Sequence, residues 1–198
     1  MAYAGRSHFL GKGYLKDGQP VNEPFDFSKK NRLPLQELHD ILKSVIFPKD
    51  VSVERRFNLT DADYAFLQKY MSMYLGETAY PAYDSLTREN TRVKFFLSHE
   101  MEKSKRNGIR EFNKAGDAYG FLTDAAYIVD FENKVEFMLS ATILCNTDGI
   151  FNDDHYDYDT IGFPFFTHLG NIVYEYELKR RKEFLPDLSA FRINYTVE

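Results

Sequence analysis

Three apolar runs in the second half of the chain constrain its fold most: Ile109 to Lys114, Leu122 to Phe131 and Val135 to Cys145. Each is rich in β-branched and aromatic residues, which suit a pleated, half-buried surface. Glu132-Asn133-Lys134 is a short polar joint, so the last two runs predict a hairpin. A tight glycine turn after Lys114 folds the first run back onto the second. From Ile161 to about Arg181, apolar residues recur at helical spacing (Phe165, Phe166, Leu169, Ile172, Val173, Tyr176), and Pro164 suits a first helical turn. Consecutive strands closed by one helix predict an α+β fold, an antiparallel sheet flanked by helices.

Two further helices are expected upstream. Pro34 opens the first; Leu35, Leu38, Ile41, Leu42, Val45 and Ile46 follow the helical period, and Pro48 stops it. Thr60 starts the second, with Asp63 three residues on as an acidic variant of the capping box. Its inward stripe is Tyr64, Leu67, Tyr70, Met71 and Tyr74. Residues 1–32 read as an irregular segment with Lys16-Asp17-Gly18 as a hairpin turn. A short helix is expected near Val93 to Leu97, and Glu100 to Arg106 as an exposed charged loop. Residues 33–182 are then the folded portion, and 183–198 an extended tail.

The 198 residues suit one domain, a size that buries about 70% of its unfolded surface. A hydrophobic content of 43% and an aromatic content of 16% exclude a disordered chain. The net charge of −5 excludes a general nucleic-acid binder. The one basic run, Lys179-Arg180-Arg181-Lys182, falls where a helix ends and complements its dipole. No apolar run reaches the roughly 18 residues needed to span a bilayer. Cys145 is the only cysteine, so neither an internal disulfide nor a cysteine metal site is expected; within an apolar strand it reads as a small buried hydrophobe. The five histidines lack zinc-ligand spacing, and no phosphate loop or dinucleotide fingerprint appears, so no cofactor is expected. Asn152 to Asp159 is acidic enough to offer a hard cation oxygen ligands, but it lacks the spacing of an EF-hand loop and reads as a solvated connection.

One motif carries chemistry. Phe112-Asn113-Lys114-Ala115-Gly116-Asp117 ends the first run, and Tyr119-Gly120-Phe121-Leu122-Thr123-Asp124-Ala125-Ala126-Tyr127-Ile128-Val129 follows. This resembles the Lys-Thr/Ser-Gly edge strand of the penicillin-recognising serine hydrolases, the class A β-lactamases and penicillin-binding proteins. The resemblance covers roughly residues 31–182 and is strongest over 109–178. It implies a partial class A β-lactamase-like fold, acyl transfer through a serine ester on an amide or ester substrate, and catalytic roles for Lys114 and Asp117. Lys114 would supply positive field and help move protons, and the backbone N–H of Asp117 would donate to the oxyanion. Ala115 and Gly116 would bind substrate, Gly116 leaving room for it to pair along the strand edge. Ala115 departs from the pattern by lacking the hydroxyl.

The nucleophile that should accompany this strand is missing. No serine is followed by lysine three residues on; Ser85-Leu86-Thr87-Arg88 and Ser189-Ala190-Phe191-Arg192 carry an arginine, which stays protonated and cannot act as a base. No Ser-x-Asn or Tyr-x-Asn occurs. Glu54-Arg55-Arg56-Phe57-Asn58 imitates the family's Glu-x-x-Leu-Asn motif but lies between the two helices rather than before them, so Glu54 reads as a surface acid. In the resembling family the sheet has five strands, and three alone leave two long edges open. Either residues 1–30 lend a strand, or a partner covers the edges through self-association, or the chain is the C-terminal portion of a larger enzyme, the expectation that fits best. The family is exported, so the resemblance implies a periplasmic or secreted enzyme, although the N-terminus lacks the features of a signal peptide. Two rival classes stand beside it: a non-catalytic binding or assembly module that keeps the fold, and an acidic-loop cation binder.

Overall fold

The computed structural model describes residues 8–80, 82, 93–97 and 108–195. At its centre lies an antiparallel sheet of β5 (Ile109–Ala118), β6 (Phe121–Asp130) and β7 (Val135–Leu144), in that order. All ten residues of β5 pair in register with β6, from Ile109 opposite Asp130 to Ala118 opposite Phe121. The first strand therefore runs past its expected end at Lys114 to Ala118, and the glycine turn that follows it is Tyr119-Gly120. Both turn residues have positive φ, 55° and 79°. Such a turn matches the twist of paired strands; glycine enters it without strain, whereas Tyr119 does so at a cost. The second hairpin is closed by Asp130, whose carboxylate accepts the N–H groups of Glu132 and Asn133 and the Asn133 side-chain amide.

Side-chain alternation divides the sheet into two buried faces. On one, α1 (Leu35–Ile46) lays Leu42 and Ile46 against Phe112, Ala125, Tyr127 and Val129, with Leu188 and Phe191 from the tail. Ile41, expected in that stripe, is exposed. The other face carries Ile109, Leu122, Ala126, Ile128 and Ala141 under Phe95, Phe96 and the closing helix α3 (Phe163–Lys179). A π-helical turn, Tyr158–Gly162, leads into α3.

The packed face of α3 is Phe163, Phe166, Thr167 and Gly170. Phe165, Ile172 and Tyr176, expected inward, are exposed. Glycine sets this rotation: a Cβ on Gly170 would lie 2.1 Å from the Phe96 carbonyl oxygen, and one on Gly162 would lie 2.2 Å from Leu122 Cδ1. The helix docks on its smallest residues because they allow closest approach. Val93–Leu97 is a turn and bend, not the expected helix. The charged stretch Glu100 to Arg106 lies outside the described residues.

Helix α2 (Asp61–Ser72) begins at the Thr60 cap, with the reciprocal Thr60–Asp63 hydrogen bonds in place. Tyr70 leaves its expected inward stripe to stack on Phe66 at the surface. Because the cap satisfies two otherwise orphaned N–H groups, Thr60→Ala should cost about 1 kcal/mol, read as a lower urea midpoint at unchanged slope.

Two expectations for the chain ends need correction. Residues 8–32 are not irregular. β1 (Phe9–Leu10) pairs with β4 (Phe25–Asp26); β2 (Gly13–Lys16) and β3 (Gln19–Val21) form the hairpin, with Asp17-Gly18 at positive φ. β8 (Ile150–Phe151) adds in parallel to β2. None of these joins the central sheet, so among the described residues no strand from this segment pairs with its edges. The tail is more than extended chain: it turns at Ser189–Phe191 to bury Leu188 and Phe191.

Candidate functional site

The outer edge of β5 carries the Lys-x-Gly triplet. Three carbonyls of this strand accept hydrogen bonds from side chains outside the β5–β6 ladder: Ile109 from Tyr74 Oη at 3.0 Å, Glu111 from Lys94 Nζ at 2.8 Å, and Ala115 from Lys114 Nζ at 2.6 Å. In a regular antiparallel strand the N–H and C=O of one residue point the same way, and the direction alternates. The odd-numbered residues of β5 thus turn their backbone groups outward, which aims the N–H groups of Ala115 and Asp117 at the open edge.

Lys114, Gly116 and Asp117 are exposed and Ala115 is half-buried. A Cβ on Gly116 would meet nothing within 4 Å. The upstream half of the edge accepts hydrogen bonds from Tyr74 and Lys94, whereas from Ala115 to Asp117 the Lys114 amine makes the one such side-chain hydrogen bond found among the described residues. Together these four positions form a short strip of donors beside one cation, uncovered by any strand among the described residues. It can take an extended, carbonyl-bearing, anionic chain.

Beneath that strip, on the β5 face opposite the Lys114 side chain, lies a buried polar cluster missed in the sequence. Lys94 is 2% exposed, Glu111 2%, Asn113 6% and Asp124 0%. The Lys94 ammonium donates to the carbonyls of Met71 (2.5 Å) and Glu111 (2.8 Å) and to Asn113 Oδ1 (2.7 Å). Asn113 Nδ2 donates to the Val93 carbonyl and to both Asp124 oxygens, at 3.0 and 2.9 Å. Asp124 also accepts the Phe95 N–H, and Glu111 Oε1 the Leu97 N–H. Burial pushes the Glu111 carboxyl up to about 8, the Asp124 charge adding to the effect. Burial raises Asp124 to about 6, opposed by its hydrogen bonds from Asn113 and Phe95. It also lowers Lys94 to about 8, which leaves an ammonium at neutral pH. The sequence signal was present: an Asp amid Leu122, Ala125 and Ala126 is costly unless it is partnered.

Other polar groups are occupied locally. Asp157 accepts the Thr147 N–H and hydroxyl, Asp148 the Ile150 N–H, and Asp153 the His155 N–H, so the acidic loop uses these carboxylates to fix its own turns. Among the described residues no group of three or more His, Cys, Asp or Glu could hold a metal ion. Cys145 is buried, and burial raises its thiol pKa. His39 Nδ1 lies 2.8 Å from Ser140 Oγ, a serine–histidine pair between α1 and β7. No helix among the described residues is long and apolar enough to cross a membrane. Comparisons of the chain with family models, with curated proteins and with solved structures give no match.

Proposed function

We propose that this chain forms the substrate-binding wall, the C-terminal portion, of a β-lactamase-like serine hydrolase whose nucleophile comes from a segment outside it. The observation that carries the reading is the open strip of β5, where outward amides at Ala115 and Asp117 flank Gly116 beside Lys114. In such an enzyme a serine attacks the substrate carbonyl, and the Asp117 N–H receives the charge that develops on its oxygen. Lys114 holds the substrate carboxylate and stabilises the ionised state of the site. Without a hydroxyl at Ala115, carboxylate binding rests on Lys114 alone, which favours amide or ester substrates other than β-lactams. A periplasmic or secreted location belongs with this reading.

A second reading, a non-catalytic binding module of the same fold, is favoured by the Lys114 amine being satisfied by its own strand. The two differ in outcome. The chain alone should show no labelling by a fluorophosphonate probe and no turnover of a chromogenic β-lactam; stoichiometric labelling at any serine, Ser140 included, would overturn the first reading. Joined to the sequence encoded upstream, it should acylate, and Lys114→Ala should slow acylation by about 10²-fold. If that upstream sequence holds no Ser-x-x-Lys, the binding module stands. Acylation unchanged by Lys114→Ala would remove the lysine from the site.

A further inference from the structure

The buried cluster contains two carboxyl groups and one ammonium, and the ammonium hydrogen-bonds neither carboxyl. Its three protons go to Met71, Glu111 and Asn113 oxygens, of which the Glu111 acceptor is the backbone carbonyl. Two like charges beside one cation in a dry site cannot both persist, so one carboxyl retains its proton. Asp124 is built as the anion, with both oxygens bonded by Asn113 and one also by the Phe95 N–H. Glu111 is not: Oε1 takes the Leu97 N–H at 3.2 Å, the Phe96 N–H also faces its carboxyl group, and Oε2 is fully buried with no hydrogen-bond partner among the described residues.

We infer that Glu111 is a neutral carboxylic acid in the folded protein, and that its proton is a latch holding the Phe95–Leu97 segment on β5. Ionised, the unpaired carboxylate must reach water. The cheapest route is to release the short segment whose Leu97 N–H it binds, because the sheet on its other side is fully laddered. This latch is independent of any hydrolase activity.

Among the described residues the surrounding groups are few. From the segment comes Lys94, and from β6 Asp124. From β5 come Asn113 and Arg110, the latter paired with Glu77. α2 presents the Met71 carbonyl. α3 presents Phe163, Phe166, Thr167 and Gly170; its Tyr174 bonds Asp130, His168 is exposed, and Glu175 and Glu177 pair with Lys179 and Arg180.

The sign follows from linkage. Glu111 has a raised pKa when latched, so the latched state binds the extra proton from the ordinary carboxylate pKa up to about 8. The latch is complete below that window and weakens as pH rises through it. Asp124 acts in the same direction only up to about 6, and Lys94 acts oppositely only above about 8. Of these three groups, Glu111 alone acts between about pH 6 and 8.

Hydrogen exchange at the Leu97 amide tests this, corrected for intrinsic rates. Its protection should fall about tenfold per pH unit between roughly pH 6 and 8, and Glu111→Gln, which keeps the shape without the charge, should be flat. Flat wild-type protection, or the same slope in the variant, overturns the latch. Should the variant fail to fold, the wild-type Glu111 carboxyl carbon decides by NMR: a midpoint above about 7 supports the latch, and one below about 5 overturns it.

Discussion

Replacing Lys94 with methionine should lower stability by about 3–5 kcal/mol at neutral pH. Methionine fills nearly the same volume, so the loss measures charge and hydrogen bonds rather than a cavity. Without the ammonium, the Met71 and Glu111 carbonyls and Asn113 Oδ1 lose a donor, and Asp124 loses its nearby cation. Urea denaturation at neutral pH and near pH 5 separates these contributions. Protonating Asp124 in acid should recover part of the loss. A change below about 1 kcal/mol at both pH values would show that the cluster is solvated in solution and contributes little.

Gly170→Ala should cost about 2–3 kcal/mol, despite a gain of about 1 kcal/mol in helix propensity. The added methyl would sit 2.1 Å from the Phe96 carbonyl oxygen and 2.7 Å from its carbon, backbone atoms that can yield only by lifting the segment. Gly116→Ala is the counterpart: with nothing within 4 Å, it should be neutral or gain about 0.5–1 kcal/mol. Thermal denaturation of both variants checks the pair. Equal shifts would mean that α3 does not dock on Phe96.

Much of the scaffold was legible because it obeys local rules. The Thr60–Asp63 box, the proline limits of α1 and the strand composition of β5–β7 each fix an element without reference to the rest of the chain. The face of α3 was not legible, because periodicity scores Phe165 and Ile172 as core, whereas Gly162 and Gly170 decide which side approaches closest. The glycine turn between the first two strands was legible, but the end of the first strand was not: composition stops it at Lys114, whereas pairing carries it to Ala118 and an aromatic residue, Tyr119, takes a positive φ.

The buried cluster was harder still. Glu111 and Asn113 alternate with Arg110, Phe112 and Lys114, a pattern that reads as a strand with one wet face. Burial on both sides comes from Phe95–Leu97 and α1, which the strand's own sequence cannot announce. Lys114, Ala115, Gly116 and Asp117 were visible as a motif. That the odd-numbered backbone groups turn outward became clear only from what Tyr74, Lys94 and Lys114 bond.

The parallel pairing of Gly13 with Ile150 and Tyr14 with Phe151 bears on where a boundary can be drawn in this chain. Phe25 and Phe27 pack on Phe151 and on the Tyr119 ring at the β5–β6 turn, and Lys30 donates to the Tyr119 hydroxyl at 2.6 Å. The rings and ammonium that hold a strained turn therefore come from residues roughly ninety positions earlier in the chain. A fragment begun at residue 33, where composition changes, would keep every strand of the central sheet. It would lose the clasp on the hairpin that carries Lys114 and Asp117, so the indivisible unit is discontinuous in sequence.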